Sequence, residues 1–256
     1  MALDAPSDLA MVSAAELAEK AGVSKATISR LVRRLGYESY EEARLAARAL
    51  RAGGALLWRA DSTVESQPAA VAIDEHLRSE SRILEQTFAG IDPAVLSEIA
   101  HALAAARRVR IAAFRNGHGP GTHARSVLSQ TRHDVAMLLQ PGQTLGEAAG
   151  DVRLGDVVIV FGLRRRVSRF SQFVQTLSEN GADVVLVTDP SVREAPASAR
   201  WTLVCAVETE QAADSYVAVH AVVRLMACEM MKVLSARGRR HLERIELAQA
   251  ALGDLE

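Results

Sequence analysis

Five short runs of apolar, mostly β-branched residues alternate with helical patterns over the second half of the chain. Runs that are apolar throughout indicate strands buried on both faces, and helical connections between them allow neighbouring strands to run parallel. This alternation predicts an α/β fold with a doubly wound, five-stranded parallel sheet. The predicted strands are residues 109–114, 134–139, 157–162, 184–188 and 201–207.

Helices are predicted before, between and after these strands. Asp92 and Pro93 form a helix start as N-cap and first helical residue, and Gly155 and Gly181 mark helix-to-strand turns. The predicted helices are residues 40–58, 69–88, 92–106, 122–131, 145–152, 168–180, 191–199 and 211–234.

Two shorter helical patterns meet at Gly22, near the start of the chain. Gly22 stands where a sharp turn between helices requires a positive φ, and Ser24 is a suitable N-cap for the second helix. That helix has an apolar face that runs from Ile28 to Leu35. The pattern is typical of a helix-turn-helix, whose second helix lies in the DNA major groove.

The outer face of this second helix is basic and polar, and no acidic residue lies between Ser24 and Leu35. Lys and Arg neutralise phosphates, and polar side chains near the helix start reach base edges. A helical hairpin with a solvated basic face is the alternative. The expected partner is a double-stranded DNA operator, and the predicted DNA-binding residues are Ser24, Lys25, Thr27, Ser29, Arg30, Arg33 and Arg34.

By pattern, the chain divides into four segments. Residues 1–58 are the predicted helix-turn-helix domain; either its supporting first helix is frayed or the true start lies upstream. Residues 59–91 are a predicted linker and connecting helix. Residues 92–236 form the α/β domain, and residues 237–256 a charged helical tail.

Composition limits the compartment and the partners. The formal net charge of the 256 residues is -1, so affinity for DNA must come from a local patch. Cys205 and Cys228 lie in apolar stretches without CxxC spacing, which indicates two buried, reduced thiols. With no signal-peptide pattern and no run long enough to span a bilayer, we expect a cytoplasmic protein without a membrane partner.

Polar loops suited to anions follow two of the predicted strands. Ligands of open parallel sheets bind beyond the carboxyl ends of the strands, where helix N-termini also attract anions. Ordinary turns with solvated arginines are the alternative, and Ser168 is the predicted N-cap of its helix. The predicted effector-binding residues are Arg115, Asn116, Gly117, His118, Arg164, Arg165, Arg166, Ser168 and Ser215.

No cofactor, metal site or catalytic centre is predicted. Gly117, Gly119 and Gly121 have GxGxG spacing rather than the GxGxxG of a dinucleotide site, and the chain has no P-loop. His118 and His123 lack a third metal ligand. His118, His123, Glu147 and His220 offer pairs for acid–base work, but a histidine near a loop is more often structural.

Together these motifs resemble the RpiR type of transcriptional regulator, in which a helix-turn-helix precedes a sugar isomerase (SIS) domain. The resemblance covers residues 12 to about 234 and is carried by residues 16–31, 33–37, 155–161 and 181–189. It implies a homodimer or homotetramer that binds an operator and senses a phosphosugar. It also implies that serines or threonines of two loops hold the sugar phosphate.

The sequence departs from that family in both loops. The first has Asn116-Gly117-His118 in place of the usual serine, and the second has Arg164, Arg165 and Arg166 in place of a Ser-x-Ser-Gly-x-Thr run. Arginines suit carboxylates as well as phosphates. We therefore expect a small anionic effector, either a phosphosugar or a sugar-derived acid. A phosphosugar isomerase with an accessory helical domain, and an SIS assembly module without a ligand, are the alternatives.

Overall fold

The computed structural model describes residues 13–52, 69–192, 196–209 and 213–254. The chain forms two compact units. The first consists of the residues up to Ser79 together with the separate segment 208–214, and the second consists of residues 80–207 and 215–256. The supporting first helix and the linker lie outside the described residues, at 1–12 and 53–68. The boundaries of the four segments stay a prediction.

The first unit is helical. Its helices are α1 (Ala14–Lys20), α2 (Lys25–Arg34), α3 (Tyr40–Ala52) and the first half of α4 (Ala69–Ala89). Ser13 and Glu16 form a reciprocal capping box at the start of α1. Ser24 caps α2 by accepting a 3.2 Å hydrogen bond from the Thr27 amide, and Gly22 has a φ of 62°, both as predicted.

A small apolar core holds α1, α2 and α3 together. Leu17 and Ala18 of α1 pack with Ile28 and Val32 of α2, and all four side chains are buried. The prediction that Leu35 belongs to this apolar face is wrong, because its side chain is 52% exposed. Leu35 is the C-cap residue, so it lies beyond the helical face that faces the core.

The second unit contains a five-stranded, all-parallel sheet, which confirms the predicted fold. Its strand order is β2-β1-β3-β4-β5, so the first and third strands are neighbours in the middle of the sheet. The strands are β1 (Val109–Ala113), β2 (Val135–Met137), β3 (Val157–Gly162), β4 (Asp183–Thr188) and β5 (Trp201–Val204).

Helices cover both faces of the sheet, which explains why β3 has no polar side chain and β1 has only that of Arg110. On one face Ile111 and Ile159 pack into a core with Leu103 and Met226, and on the other Val158 packs with helix residues such as Val174 and Leu177. The helices of this unit after α4 are α5 (Pro93–Ala105), α6 (His118–Thr131), α7 (Leu145–Gly150), α8 (Phe170–Glu179), α9 (Val217–Leu234) and α10 (Ala236–Leu252).

Several predicted helix boundaries are wrong. α6 begins at His118 and not at residue 122, because most of the glycine-rich segment forms the first helical turn. α8 begins at Phe170, and the described residues 213–216 precede α9 without being helical. The described residues in the range 191–199 are not helical either. Polar and glycine-rich segments at helix ends carry little periodicity from which a boundary can be located.

The two cysteines have different surroundings. Cys205 is buried, as predicted, and burial raises the pKa of its thiol to about 12. Cys228 is exposed on α9, so the prediction of two buried thiols is wrong for this residue. In the described part of the chain, no helix has both the length and the apolar character needed to cross a bilayer.

Replacing Gly121 by alanine should destabilise the second unit, because α6 approaches β1 most closely at this residue. A Cβ on Gly121 would lie 2.5 Å from the Cβ of Ala113, which has no flexible end that can move away. Overpacking of this kind costs about 1–3 kcal/mol in the free energy of unfolding, measurable by urea denaturation.

Gly119→Ala is the matched control in the same helical turn. A Cβ there has no neighbour within 4 Å. We expect the free energy of unfolding to stay unchanged or to rise by up to about 1 kcal/mol, because alanine favours the helix. Equal destabilisation by both variants would show that the close helix–strand approach is not the cause.

Candidate functional site

The strand order places a crevice at the carboxyl edge of the sheet. In the sheet, β2 lies on one side of β1 and β3 lies on the other. The connection that follows β1 therefore runs in the opposite direction to the connection that follows β3, which leads to β4. Such a switch point in an open parallel sheet is where the loops separate and ligands bind. The loops after β1 and β3, which the sequence selects as the anion-binding loops, therefore flank the same crevice.

The loop after β1 is a single tight turn. A 3-10 turn at Arg115–Gly117 connects β1 directly to α6. Arg115, Asn116 and His118 are exposed, and Arg115 has a φ of 51°. Gly117 is buried against β3, because a Cβ there would lie 3.1 Å from the Cβ of Phe161. The turn thus presents three polar side chains at the start of α6.

The helices that follow β1 and β3 begin without a side-chain cap. The N-cap residues are Gly117 for α6, which has no side chain, and Arg169 for α8, whose guanidinium group cannot accept a hydrogen bond. By contrast, α5 begins with Asp92 and α7 with Thr144 as side-chain caps. At the start of α6 the His118 amide donates to the Arg115 carbonyl and Pro120 has no amide hydrogen, so the Gly119 amide and the helix dipole are what this start offers to an anion. The dipole of α8 acts in the same way at the neighbouring loop.

The three arginines after β3 have different surroundings. Arg165 is exposed, whereas Arg164 is buried with a φ of 54°. Arg166 donates to Thr188 Oγ1 at 2.9 Å and to Asp189 Oδ1 at 3.2 Å. Burial lowers the pKa of Arg166, and Asp189 acts in the opposite direction. Arg166 is therefore bound to the end of β4, and the predicted cluster does not act as three equivalent cations.

Asp189 organises this loop and was not predicted as a site residue. Its fully buried carboxylate accepts hydrogen bonds from the Arg164 amide at 2.6 Å and the Ser191 amide at 3.0 Å, besides that from Arg166. Since Asp189 directly follows a buried strand in the same sheet as the arginine-rich loop, its position in the sequence was a usable signal.

The two predicted serines have different roles. Ser168 is exposed and does not cap α8; Arg169 takes a left-handed conformation with a φ of 64°, so the helix begins one residue later than predicted. The Ser215 hydroxyl is 2.5 Å from Glu80 Oε2 and accepts a 3.2 Å hydrogen bond from the Val217 amide. These two contacts tie Ser215 to α4 and to the start of α9.

Two histidines from separate helices come together near this edge. The rings of His123 and His220 have centroids 5.0 Å apart, and both residues are half-buried. Burial lowers the pKa of His220, and the neighbouring His123 lowers it further. They lie early in α6 and α9, which both begin at the carboxyl side of the sheet. The sequence offers both residues only as unassigned acid–base candidates.

In the first unit, α2 presents the predicted basic face. Lys25, Arg30, Arg33 and Arg34 are exposed. Two hydroxyls of this face make local hydrogen bonds: Thr27 Oγ1 lies 2.9 Å from Ser24 Oγ, and Ser29 donates to the Lys25 carbonyl at 3.1 Å. The outer face of α2 is therefore defined mainly by four cationic side chains.

Comparisons with known proteins give matches by structure but not by sequence. No protein-family model and no curated protein matches the chain. An RpiR transcription factor from Sphaerobacter thermophilus (sugar isomerase domain) is 20% identical over 68% of this chain and 97% of that chain, with a TM-score of 0.62. The Vibrio vulnificus NanR protein complexed with ManNAc-6P is 17% identical over 96% and 88%, with a TM-score of 0.63.

An Escherichia coli CFT073 protein in complex with A5P is also similar, at 12% identity over 66% of this chain and 93% of that chain, with a TM-score of 0.55. At such low identities these likenesses establish the fold. The α/β unit has the SIS fold, and the resemblance to RpiR-type regulators is confirmed at the level of structure.

Asp189→Ala should destabilise the α/β unit strongly. The substitution leaves Arg166 half-buried without its carboxylate and removes the acceptor of two backbone amides. Breaking a buried pair by removing one partner costs about 3–5 kcal/mol. Asp183→Ala, at the start of the strand that Asp189 follows, breaks an exposed pair with Arg200 and should cost less than about 1 kcal/mol in the same denaturation experiment. Equal losses would contradict a special role of Asp189.

The stability of the protein should fall at mildly acidic pH because of His220. The pKa of His220 is lower in the folded protein than its unfolded value of about 6.5. At a pH between these two pKa values, the unfolded chain therefore binds more protons than the folded chain. The free energy of unfolding should therefore decrease as the pH falls below about 6.5. His220→Gln should make this decrease shallower in urea titrations across this range. The exposed His101 serves as control, since His101→Gln should retain the wild-type slope.

Proposed function

We propose that this protein is a DNA-binding transcriptional regulator of the RpiR type whose SIS unit senses a small anionic metabolite. The observation that carries the proposal is the basic outer face of α2, which stands in the same chain as an SIS fold. The NanR match, which spans 96% of this chain, supports this combination, and the sugar isomerase domain of the RpiR transcription factor supports its SIS part. We place the protein in the cytoplasm as a homodimer or homotetramer.

α2 acts in this proposal as the recognition helix. Its apolar side chains Ile28 and Val32 anchor it to α1 and α3, so its opposite side is free for DNA. Arg33 and Arg34, in the last turn, bind phosphates and set the register on the duplex. Lys25, Thr27 and Ser29, near the helix start, face the base edges. Arg30 contributes a further positive charge, and Ser24 holds the start of the helix.

The effector binds at the β1/β3 crevice. The Gly119 amide at the start of α6 and the side chains of Arg115, Asn116 and His118 receive the anionic group on one side. Arg164 and Arg165 receive it on the other, while Arg166 acts as a positioning residue through Asp189. Ser168 and Ser215 supply hydroxyls. ManNAc-6P, the compound bound to NanR, suggests a phosphosugar, and the arginines fit a sugar-derived acid equally well.

Effector binding regulates DNA binding by a population shift. An anion that binds one conformation of the oligomer more tightly favours that conformation. Two recognition helices of a symmetric oligomer bind half-sites about one DNA turn apart, so a small change in their separation changes operator affinity. The differential affinity of the effector sets the maximum size of this response.

An isomerase is the second candidate function, favoured by the His123–His220 pair beside the crevice and by the A5P-bound relative. Glu147, which would be its carboxylate, is instead the third residue of a capping box. Its carboxylate accepts hydrogen bonds from the Thr144 amide at 2.7 Å and the Thr144 hydroxyl at 2.8 Å, which lower its pKa. This engagement counts against Glu147 as a proton donor and favours the regulator.

The test is fluorescence-anisotropy binding to DNA upstream of the protein's own gene, over a range of salt concentrations and with sugar phosphates and sugar acids added. Arg33→Ala should weaken binding to all sequences and reduce the salt slope by about one. Arg165→Ala should keep DNA affinity and lose the effector response. Arg224→Ala, on the exposed side of α9, is the control for a general loss of charge.

The alternatives make opposite predictions in the same experiment. An isomerase would turn over a phosphosugar, lose this activity on His220→Gln, and show no operator affinity. An assembly module would form oligomers that bind no small anion. DNA affinity that depends on Arg165 but not on Arg33 would refute the proposed division of roles.

A further inference from the structure

A second cavity lies at the opposite end of the α/β unit, away from the β1/β3 crevice. Its walls include Arg107, which precedes β1, and Arg132 and His133, which precede β2, so it lies at the amino edge of the sheet. Its remaining wall comes from the end of α9 and the first turns of α10. The cavity volume is about 440 Å³, within the usual range for small-molecule sites.

The lining of this cavity is strongly basic. It contains five arginines and two histidines, and no acidic residue is among the lining residues. This is notable in a chain whose formal net charge is only -1. Arg107 is the one lining arginine with a carboxylate partner, because it pairs with Asp156 at 2.8 Å. The other four arginines therefore keep their charge uncompensated by a salt bridge among the described residues.

Two of these arginines are held by carbonyl groups. Arg132 is buried and donates to the carbonyls of Leu103 and Ala106 at the end of α5. Arg237 donates to the Ala104 carbonyl at 2.7 Å. Burial lowers the pKa of Arg132, the nearby carboxylate of Asp134 acts in the opposite direction, and the charge of Arg237 lowers the pKa again. Capping of α5 explains these two residues structurally, but leaves two positive charges close together.

Helix capping does not explain the remaining two arginines, Arg240 and Arg244. They are exposed and lie one turn apart on α10, at the side of the cavity. His241 is positioned between them, with its Nε2 3.0 Å from the Ser129 carbonyl and its Nδ1 accepting from Arg244 at 3.3 Å. The described residues provide no carboxylate for either arginine. Their guanidinium groups are therefore available to a ligand.

We propose that this cavity is a second anion site, separate from the effector crevice, which binds a small molecule carrying a phosphate or pyrophosphate group. Arg240 and Arg244 bind the phosphate oxygens through charge-assisted hydrogen bonds, with Arg132 and Arg237 raising the local positive potential. The methyl group of Ala105 and the side chain of Leu234 line the remaining wall and accept an apolar part of the ligand. The inference goes beyond the proposed regulatory function and does not depend on it.

Isothermal titration calorimetry of the full chain with inorganic pyrophosphate tests this site. We expect binding that weakens about tenfold for each arginine removed in Arg240→Ala and Arg244→Ala. Arg239→Ala is the matched control, because Arg239 is exposed on the same helix but does not line the cavity. Circular dichroism melting should show that all three variants remain folded, since none of these side chains is buried.

A second comparison separates the two anion sites. In an Arg165→Ala background, in which the effector crevice is weakened, pyrophosphate binding at the amino edge should persist, and it should be lost when Arg240→Ala and Arg244→Ala are added. No measurable binding by the wild type, or equal binding by wild type and the Arg240→Ala/Arg244→Ala double variant, would overturn the proposal. A third outcome would also overturn the proposal: the wild type binds no pyrophosphate, and the double variant loses affinity for duplex DNA. Arg240 and Arg244 would then contact nucleic acid rather than a small anion.

Discussion

The parallel pairing of β1 with β3 is the constraint on which the rest of the α/β unit depends. Its register joins Val109 to Val157 and Ala113 to Phe161, and every residue of both strands is buried. Because these strands are neighbours in space but not in sequence, the loops that follow them meet at one edge of the sheet. The uncapped starts of α6 and α8 and the exposed Arg115 and Arg165 thereby share a crevice, although some fifty residues separate the two loops.

Arginines have several physical roles in this molecule, and their partners distinguish these roles. Arg166 is paired with a buried carboxylate and orders its loop. Arg132 is buried and bound to carbonyl oxygens, so it fixes the end of a helix. Arg240 and Arg244, by contrast, are exposed beside a cavity and have no carboxylate partner among the described residues, which leaves them to a ligand. Counting basic residues in a loop therefore overestimates its capacity to bind anions.

The β1/β3 crevice and the basic outer face of α2 differ in the number of structural elements that each requires. The outer face of α2 follows from one short helix, because Ile28 and Val32 point to the core while Ser29, Arg30 and Arg33, on the other side of the helix, are exposed. The proposed anion crevice needs two strands, two helix starts and the carboxylate of Asp189, which follows a third strand. The His123–His220 contact likewise requires α6 and α9 to pack side by side.

The sequence by itself determined the features that arise within a few residues. Ser24 and Asp92 cap their helices as predicted, Gly22, Gly155 and Gly181 have positive φ, and the apolar runs form the strands of a parallel sheet. Each depends on local dihedral preferences or on the periodicity of burial. Tertiary structure alone decided the strand order, the pairing of Arg166 with Asp189, and the basic cavity at the amino edge. Partners that are distant in sequence meet only after packing has fixed both, and side-chain pairing then determines which charges remain available.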